Sequence, residues 1–224
     1  MKRKLLLSLA ALLVACASQA AQADTLTFTP TPVDLNDLDH HLVYTWKVSN
    51  VALPQGQQIT GARITIKNIA NWDTNPNRLF IHLLDNAKNA GVASFVDDPT
   101  NSSPVTDITD DFVNPRYHNQ SNWLVASGTA DTFLTSQSFT MTPTNFVYNF
   151  TTAQLNALFA YISNGGNFAL GFDPDCHFFN DGIKFEIFTA NAPAPVPEPA
   201  TLALLGTGLA GLYARKRRKA NRAA

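Results

Sequence analysis

The chain has 224 residues, a formal charge of −1, 45% apolar and 15% charged residues, and two cysteines. That length suits one domain with appendages, the charge balance argues against a nucleic-acid binder, and the apolar content is too moderate for a multi-span membrane protein. The near-neutral total hides a sorting of charge: residues 1–23 hold Lys2, Arg3 and Lys4 with no acid, residues 24–195 hold seven basic against sixteen acidic residues (net −9), and residues 196–224 hold six basic residues against Glu198 (net +5).

The first segment, residues 1–23, reads as a secretory signal. Met1–Lys4 is basic, Leu5–Ala15 is an apolar run interrupted by Ser8 alone, and Ala21-Gln22-Ala23 follows, the order and lengths of a signal peptide with an A-x-A cleavage site. The run is too short to cross a hydrocarbon core of about 30 Å as a stable helix. The expectation is a signal helix that engages Sec export and is removed by signal peptidase after Ala23, leaving Asp24 as the mature start. Leu13-Val14-Ala15-Cys16 also resembles a lipobox, which would instead make a lipidated Cys16 the first residue. Either way Cys176 is the one thiol left, read as a buried and inert group, with intermolecular pairing as the alternative.

Residues 24–190 form the predicted ectodomain. Threonine and asparagine are abundant between 24 and 195, lysine and glutamate are scarce, and all fifteen phenylalanines lie there, a composition that disfavours long helices and favours strands joined by polar turns. In chain order, Leu26–Thr29 is a weak strand candidate, and Asp34, Asn36, Asp37 and Asp39 make an acidic turn expected to be solvated. Leu42, Tyr44, Trp46 and Val48 alternate with more polar neighbours, as do Ala62, Ile64 and Ile66. Leu79–Leu84 is apolar on both faces apart from His82, which predicts a central strand. Residues 85–122 are polar and strand-poor, a long loop. Trp123–Ser127 and Phe133–Met141 are weaker strand candidates, and Phe146, Tyr148 and Phe150 share a face. Leu155, Leu158, Phe159 and Ile162 fall at helical spacing, with Thr151 or Thr152 to cap the start and Asn164-Gly165-Gly166 to end it. Phe168, Leu170, Phe172 and then Ile183, Phe185, Ile187 complete the pattern. About nine strands and one short helix predict a mainly β fold, a β-sandwich of jelly-roll type.

Two stretches of the ectodomain offer ligand chemistry. Asp173, Asp175, Asn180 and Asp181 lie in a loop longer than an ordinary hairpin turn, and their oxygens suit a hard cation, which makes Ca²⁺ the one candidate cofactor. The spacing departs from an EF-hand loop, with His177 and Phe178 at the fifth and sixth positions, and the same residues also serve as plain turn formers. Trp72 and Tyr117 sit among polar neighbours and are candidates to stack on sugar rings. His177 adjoins Cys176, but neighbours on an extended chain point apart, so a partner for either would have to come from His40, His41, His82 or His118. No Gly-x-Ser-x-Gly, His-Glu-x-x-His or phosphate-binding glycine loop is present, and no residue is assigned a catalytic role.

The chain ends in a linker and a tail. Residues 191–199 carry four prolines, a stiff extended spacer. Residues 200–224 begin with a small apolar stretch, Thr201–Ala214, with glycines at 206, 208 and 211, and continue into the basic run Arg215, Lys216, Arg217, Arg218 and Lys219. This predicts a short hydrophobic helix whose basic end stays cytoplasmic, and a plain membrane tail shares that physics. Pro197-Glu198-Pro199, the glycine-interrupted apolar stretch and the basic cluster together resemble the tripartite PEP-CTERM sorting signal. The resemblance implies recognition by exosortase in a Gram-negative bacterium, transient inner-membrane insertion, removal of the tail near Pro197-Glu198-Pro199, and delivery to the cell surface or an exopolysaccharide matrix. The leading expectation for the ectodomain is therefore a non-catalytic structural or interaction protein of that matrix. A carbohydrate-binding, lectin-like module is the alternative, and a secreted hydrolase the third.

Overall fold

Alternating apolar residues need a covered face, and the chain provides one by stacking two sheets. The computed structural model describes residues 23–97, 109–113, 115–192, 206–211 and 213. The strands are β1 (Ala23–Phe28), β2 (Leu42–Val48), β3 (Gln57–Asn71), β4 (Arg78–Leu84), β5 (Gly91–Val96), β6 (Asp131–Ser138), β7 (Thr144–Asn149), β8 (Phe168–Pro174), β9 (Phe178–Phe179) and β10 (Ile183–Asn191). A single helical turn, α1 (Pro115–His118), lies between β5 and β6, and α2 (Thr152–Ser163) between β7 and β8. One sheet runs β1-β10-β3-β7, with β9 added on the end of β3, and the other runs β5-β2-β8-β4-β6. The second sheet is antiparallel throughout, as are the β1–β10, β3–β7 and β3–β9 pairs of the first. The result is mainly β and sandwich-like.

The register explains the core. Tyr44 pairs with Phe172 and Trp46 with Leu170 across β2 and β8, while Ile81 pairs with Phe172 and Leu83 with Leu170 across β4. These side chains meet Ile64 and Ile66 of β3 and Ile183, Phe185 and Ile187 of β10 in one buried cluster. Burying each such side chain contributes about 1.5–3 kcal/mol. Every residue of β8 is buried, because it is central in its sheet and covered on both faces. The central position expected for Leu79–Leu84 is observed, with β4 lying between β8 and β6.

Three segments differ from the expectation. Residues 85–122 contain β5, an edge strand on β2. Only Phe95 of its six residues is buried, so a period-two signal had almost nothing to rest on. Trp123–Ser127 is not a strand; Trp123 donates its amide to Gln120 O and Thr129 to Ala126 O, closing turns around a buried indole. β6 ends at Ser138, short of Met141. Helix α2 starts as expected, with Thr151 and Gln154 forming a reciprocal capping box of the kind that satisfies two orphan amides. Its buried stripe is Gln154, Leu158, Tyr161 and Ile162, and Phe159 is exposed. Gln154 explains the rotation: its amide donates to Phe133 O and Leu134 O, fixing the helix on β6.

The chain divides into two compact units, Met1–Ala190 and Asn191–Ala224. Asp24, the expected mature start, lies in β1, whereas signal residues 1–22 fall outside the described residues. So do linker residues 193–199 with Pro197, Glu198 and Pro199, and the run Arg215–Lys219. Within the second unit residues 206–211 and 213 are helical. Among the described residues no helix is long and apolar enough to cross a membrane.

Candidate functional site at the loop end of the sandwich

Segments following β1, β3, β6 and β9 converge on an open cleft of about 680 Å³. The first of these, residues 29–41, has an unusual backbone. Leu35, Asn36, Asp37 and Leu38 all have positive φ, at 54°, 55°, 58° and 44°, a left-handed turn that costs L-residues about 1–2 kcal/mol each. Leu35 and Leu38 are both fully buried in the main core, and that burial offsets the strain. The acidic turn is thus held by two leucine anchors, which brings Asp34 and Asp37 to the cleft.

Asn180 fastens this loop to the segment between β9 and β10. Its amide N–H donates to Asp37 Oδ1 (3.2 Å), its side-chain Nδ2 donates to Asp34 O (2.9 Å), and its Oδ1 accepts from Gly182 N (3.0 Å). Gly182 sits at φ 126°, a conformation that favours glycine. Asp181 accepts from Asn68 Nδ2 at 2.5 Å. Loops that carry strained backbone and several fixed side chains are where binding residues concentrate.

Trp72 stands at the edge of this cleft with 60% of its surface exposed. Its amide donates to His177 O (3.0 Å), and its ring lies 5.9 Å from both Phe179 and His177. Phe179 is 41% exposed. The two aromatics form an apolar ledge beside Asp34, Asp37, Asn68, Asn71, Asn180 and Asp181, and Met141 also lines the cleft. An apolar plane ringed by carboxylates and amides can take a pyranose, one face stacked and the hydroxyls hydrogen-bonded. Trp72 was legible from its polar neighbours. Phe179 and Met141 were not: Phe179 lay in a loop read for its oxygen donors, and Met141 ended the strand candidate Phe133–Met141.

Tyr117 does not share this site. It is 5% exposed, stacks on Trp123 with ring centroids 5.8 Å apart, and donates its hydroxyl to Asp97 O at 2.9 Å. Its ring is sealed in a second cluster with Phe95, Phe112 and Trp123 that covers the outer face of the second sheet. A sugar cannot reach it.

The four residues considered for Ca²⁺ are also divided. Asp173 belongs to β8 and faces the segment around residue 111, accepting from Asp111 N at 2.7 Å. Asn180 and Asp181 belong to the return toward β10, where they bond Asp34, Asp37 and Asn68. Asp175 is buried after β8, its amide donating to Arg78 O. Among the described residues, Asp173 gathers with Asp97 and Asp111, not with Asp175 and Asp181. Burial pushes the Asp173 carboxyl well above the usual range, its bond from Asp111 N opposes this, and the charges of Asp111, Asp110 and Asp97 push it further up. Burial and the neighbouring acids thus both favour the protonated form of Asp173.

The same outer face carries an ionic clamp. His82 has no exposed surface, and its two ring nitrogens lie 2.9 Å from Asp110 Oδ2 and 2.8 Å from Asp131 Oδ1. Burial alone lowers the pKa of His82, but the two carboxylate bonds and their charges outweigh it and raise it to about 9. The ring is therefore a cation donating to both acids. Phe112 lies over Gly171 so closely that a Cβ there would fall 2.5 Å from Phe112 Cζ. Cys176 is buried as expected, and burial pushes its thiol up, which disfavours the thiolate.

The fold and cleft define a mainly β, sandwich-like ectodomain with a polar, aromatic-edged recess at its loop end. The family model of the PEP-CTERM protein-sorting motif matches residues 195–219, so the chain carries that motif. The motif implies an exported protein sorted toward the cell surface by exosortase. Comparison with curated proteins finds no match.

Proposed function

We propose that the ectodomain is a non-catalytic surface or matrix protein that binds neutral glycan in the cleft edged by Trp72 and Phe179. The observation that carries this is the exposure of Trp72 beside a recess of fixed carboxylates and amides. An exposed indole costs hydration free energy unless something covers it. The net charge of −9 between residues 24 and 195 disfavours anionic polymers, which leaves neutral sugars as the fitting class. The cleft acids Asp34, Asp37 and Asp181 are engaged as acceptors for loop amides, a structural use that supports binding over hydrolysis. The strand order supports a jelly-roll reading: without β5 and β9, each sheet interleaves early and late strands, as two Greek keys folded together would.

Affinity electrophoresis in gels cast with neutral glucans, galactans and mannans tests the proposal. At least one polymer is expected to retard the protein, and Trp72→Ala is expected to abolish the retardation while Trp72→Phe keeps part of it. Equal migration of wild type with and without every polymer, or unchanged retardation of Trp72→Ala, would overturn it.

A further inference from the structure

Next to the cleft the chain brings together three donors of a different chemistry. Asp39 and His40 end the loop before β2, and His177 lies in the loop before β9. One ligand atom from each lies within 4.8 Å of the others. Asp39 Oδ1 is 3.0 Å from His40 Nδ1 and 4.0 Å from His177 Nδ1.

We propose that Asp39, His40 and His177 bind a divalent transition-metal ion of the zinc class. The proposal stands apart from the glycan reading. Zinc bonds of about 2.0–2.1 Å in tetrahedral array place neighbouring donors about 3.3–3.4 Å apart. The observed 3.0 and 4.0 Å lie on either side of that value, and all three donors lie within 4.8 Å of one another, so side-chain adjustment brings them onto one ion. Two imidazoles and one carboxylate suit zinc, whereas calcium and magnesium prefer oxygen donors throughout. Three protein donors leave a fourth position for water or a ligand oxygen.

The scaffold of the site is set before any ion arrives. Asp39 N donates to Tyr44 Oη at 2.9 Å, Phe178 N donates to Leu38 O, and His177 O accepts from Trp72 N. Because the three side chains are half-buried or more exposed, an ion enters without unfolding the domain. Once bound, it cross-links the loop before β2 to the loop before β9.

Calorimetric titration of the chelator-treated purified protein with Zn²⁺ is expected to show one equivalent bound. His40→Ala, His177→Ala and Asp39→Asn are each expected to weaken it by at least about tenfold, while Phe159→Ala, at an exposed position on α2, leaves it unchanged. Cobalt(II) is expected to give the intense visible bands of a four-coordinate site, lost in His177→Ala. Thermal melts in chelator confirm that each variant is folded, and His177→Gln replaces His177→Ala if the latter is not. No zinc binding, binding unaffected by loss of both histidines, or a preference for Ca²⁺ would overturn the proposal. Glycan retardation in chelator, measured on the same preparations, separates failure of this site from failure of the cleft.

Discussion

Two regions of this domain are built from similar residues and end differently. The outer face of the second sheet and the loop-end cleft both gather aromatics, aspartates and a histidine. On the outer face, Phe95, Phe112, Tyr117 and Trp123 are all buried, and His82 is clamped between Asp110 and Asp131. At the cleft, Trp72 and Phe179 remain exposed, and Asp34, Asp37 and Asp181 accept from amides. The difference lies in what the sheet beneath presents. A cationic histidine in the middle of β4 gives the loop residue Asp110 and Asp131 at the start of β6 a charged partner, and Gly171 in β8 leaves room for a phenyl ring against the backbone. The chain over that face therefore closes into a second core, whereas the loop end has no such keystone and stays open. Aromatic loops mark a binding surface only where nothing underneath claims them.

The sharpest way to break this comparison is to remove the keystone. His82→Ala leaves Asp110 and Asp131 without their buried cation, and removing one member of a buried ion pair costs about 3–5 kcal/mol. Urea unfolding is expected to register that loss. If His82→Ala unfolds at the wild-type denaturant concentration, the outer face is held by aromatic packing alone.

The clamp also predicts a pH signature. His82 has its folded-state pKa raised from 6.5 to about 9. Its contribution is therefore complete below about pH 6.5 and is lost as pH rises through about 9. Asp173 acts with the same sign, since a carboxyl pushed up by burial favours the folded state only while protonated. The melting midpoint of wild type is expected to fall between pH 6.5 and 9, while that of His82→Ala changes less. Glu186 works the other way at low pH. Burial raises its carboxyl, but bonds from Lys184 and Arg63 outweigh this and hold it below the usual value, so its contribution is lost on acidification.

A smaller effect is expected from Gly171→Ala. Its Cβ falls against the Phe112 ring, and overpacking of this kind costs about 1–3 kcal/mol. Tryptophan fluorescence is expected to report a shifted environment for Trp123, which lies 5.8 Å from Phe112. Loss of stability without that shift would place the strain elsewhere in β8.

How far the chain was readable depends on which interactions define each part. The sandwich was legible because β2, β3, β4, β8 and β10 show period-two or doubly apolar patterns over several residues. β5 was not, since five of its six residues keep some exposure at a sheet edge. The cap of α2 was legible from Thr151 and Gln154, but the stripe was misjudged by one flank because a buried glutamine, not a phenylalanine, fixes the helix. Trp72 announced itself through its polar neighbours. Tyr117 gave the same local signal with the opposite outcome, because its burial depends on Trp123 and on the Asp97 carbonyl. The Asp39–His40–His177 group is of the same kind, joined by loops from opposite ends of the ectodomain.

The finest test of the contrast is the smallest in stability. Trp72 is 60% exposed and touches the fold through ring contacts with His177 and Phe179, and the bond that ties it to the His177 carbonyl comes from its backbone amide. Trp72→Ala keeps that bond, so urea unfolding is expected to move by no more than about 0.5 kcal/mol, the range of surface substitutions. Trp123→Ala removes a fully buried indole from the second core, a change that costs about 3–5 kcal/mol. The two tryptophans thus separate by an order of magnitude if one face is core and the other is surface. A loss of 3 kcal/mol in Trp72→Ala would make that indole part of the packing, and its exposure would then say nothing about glycan.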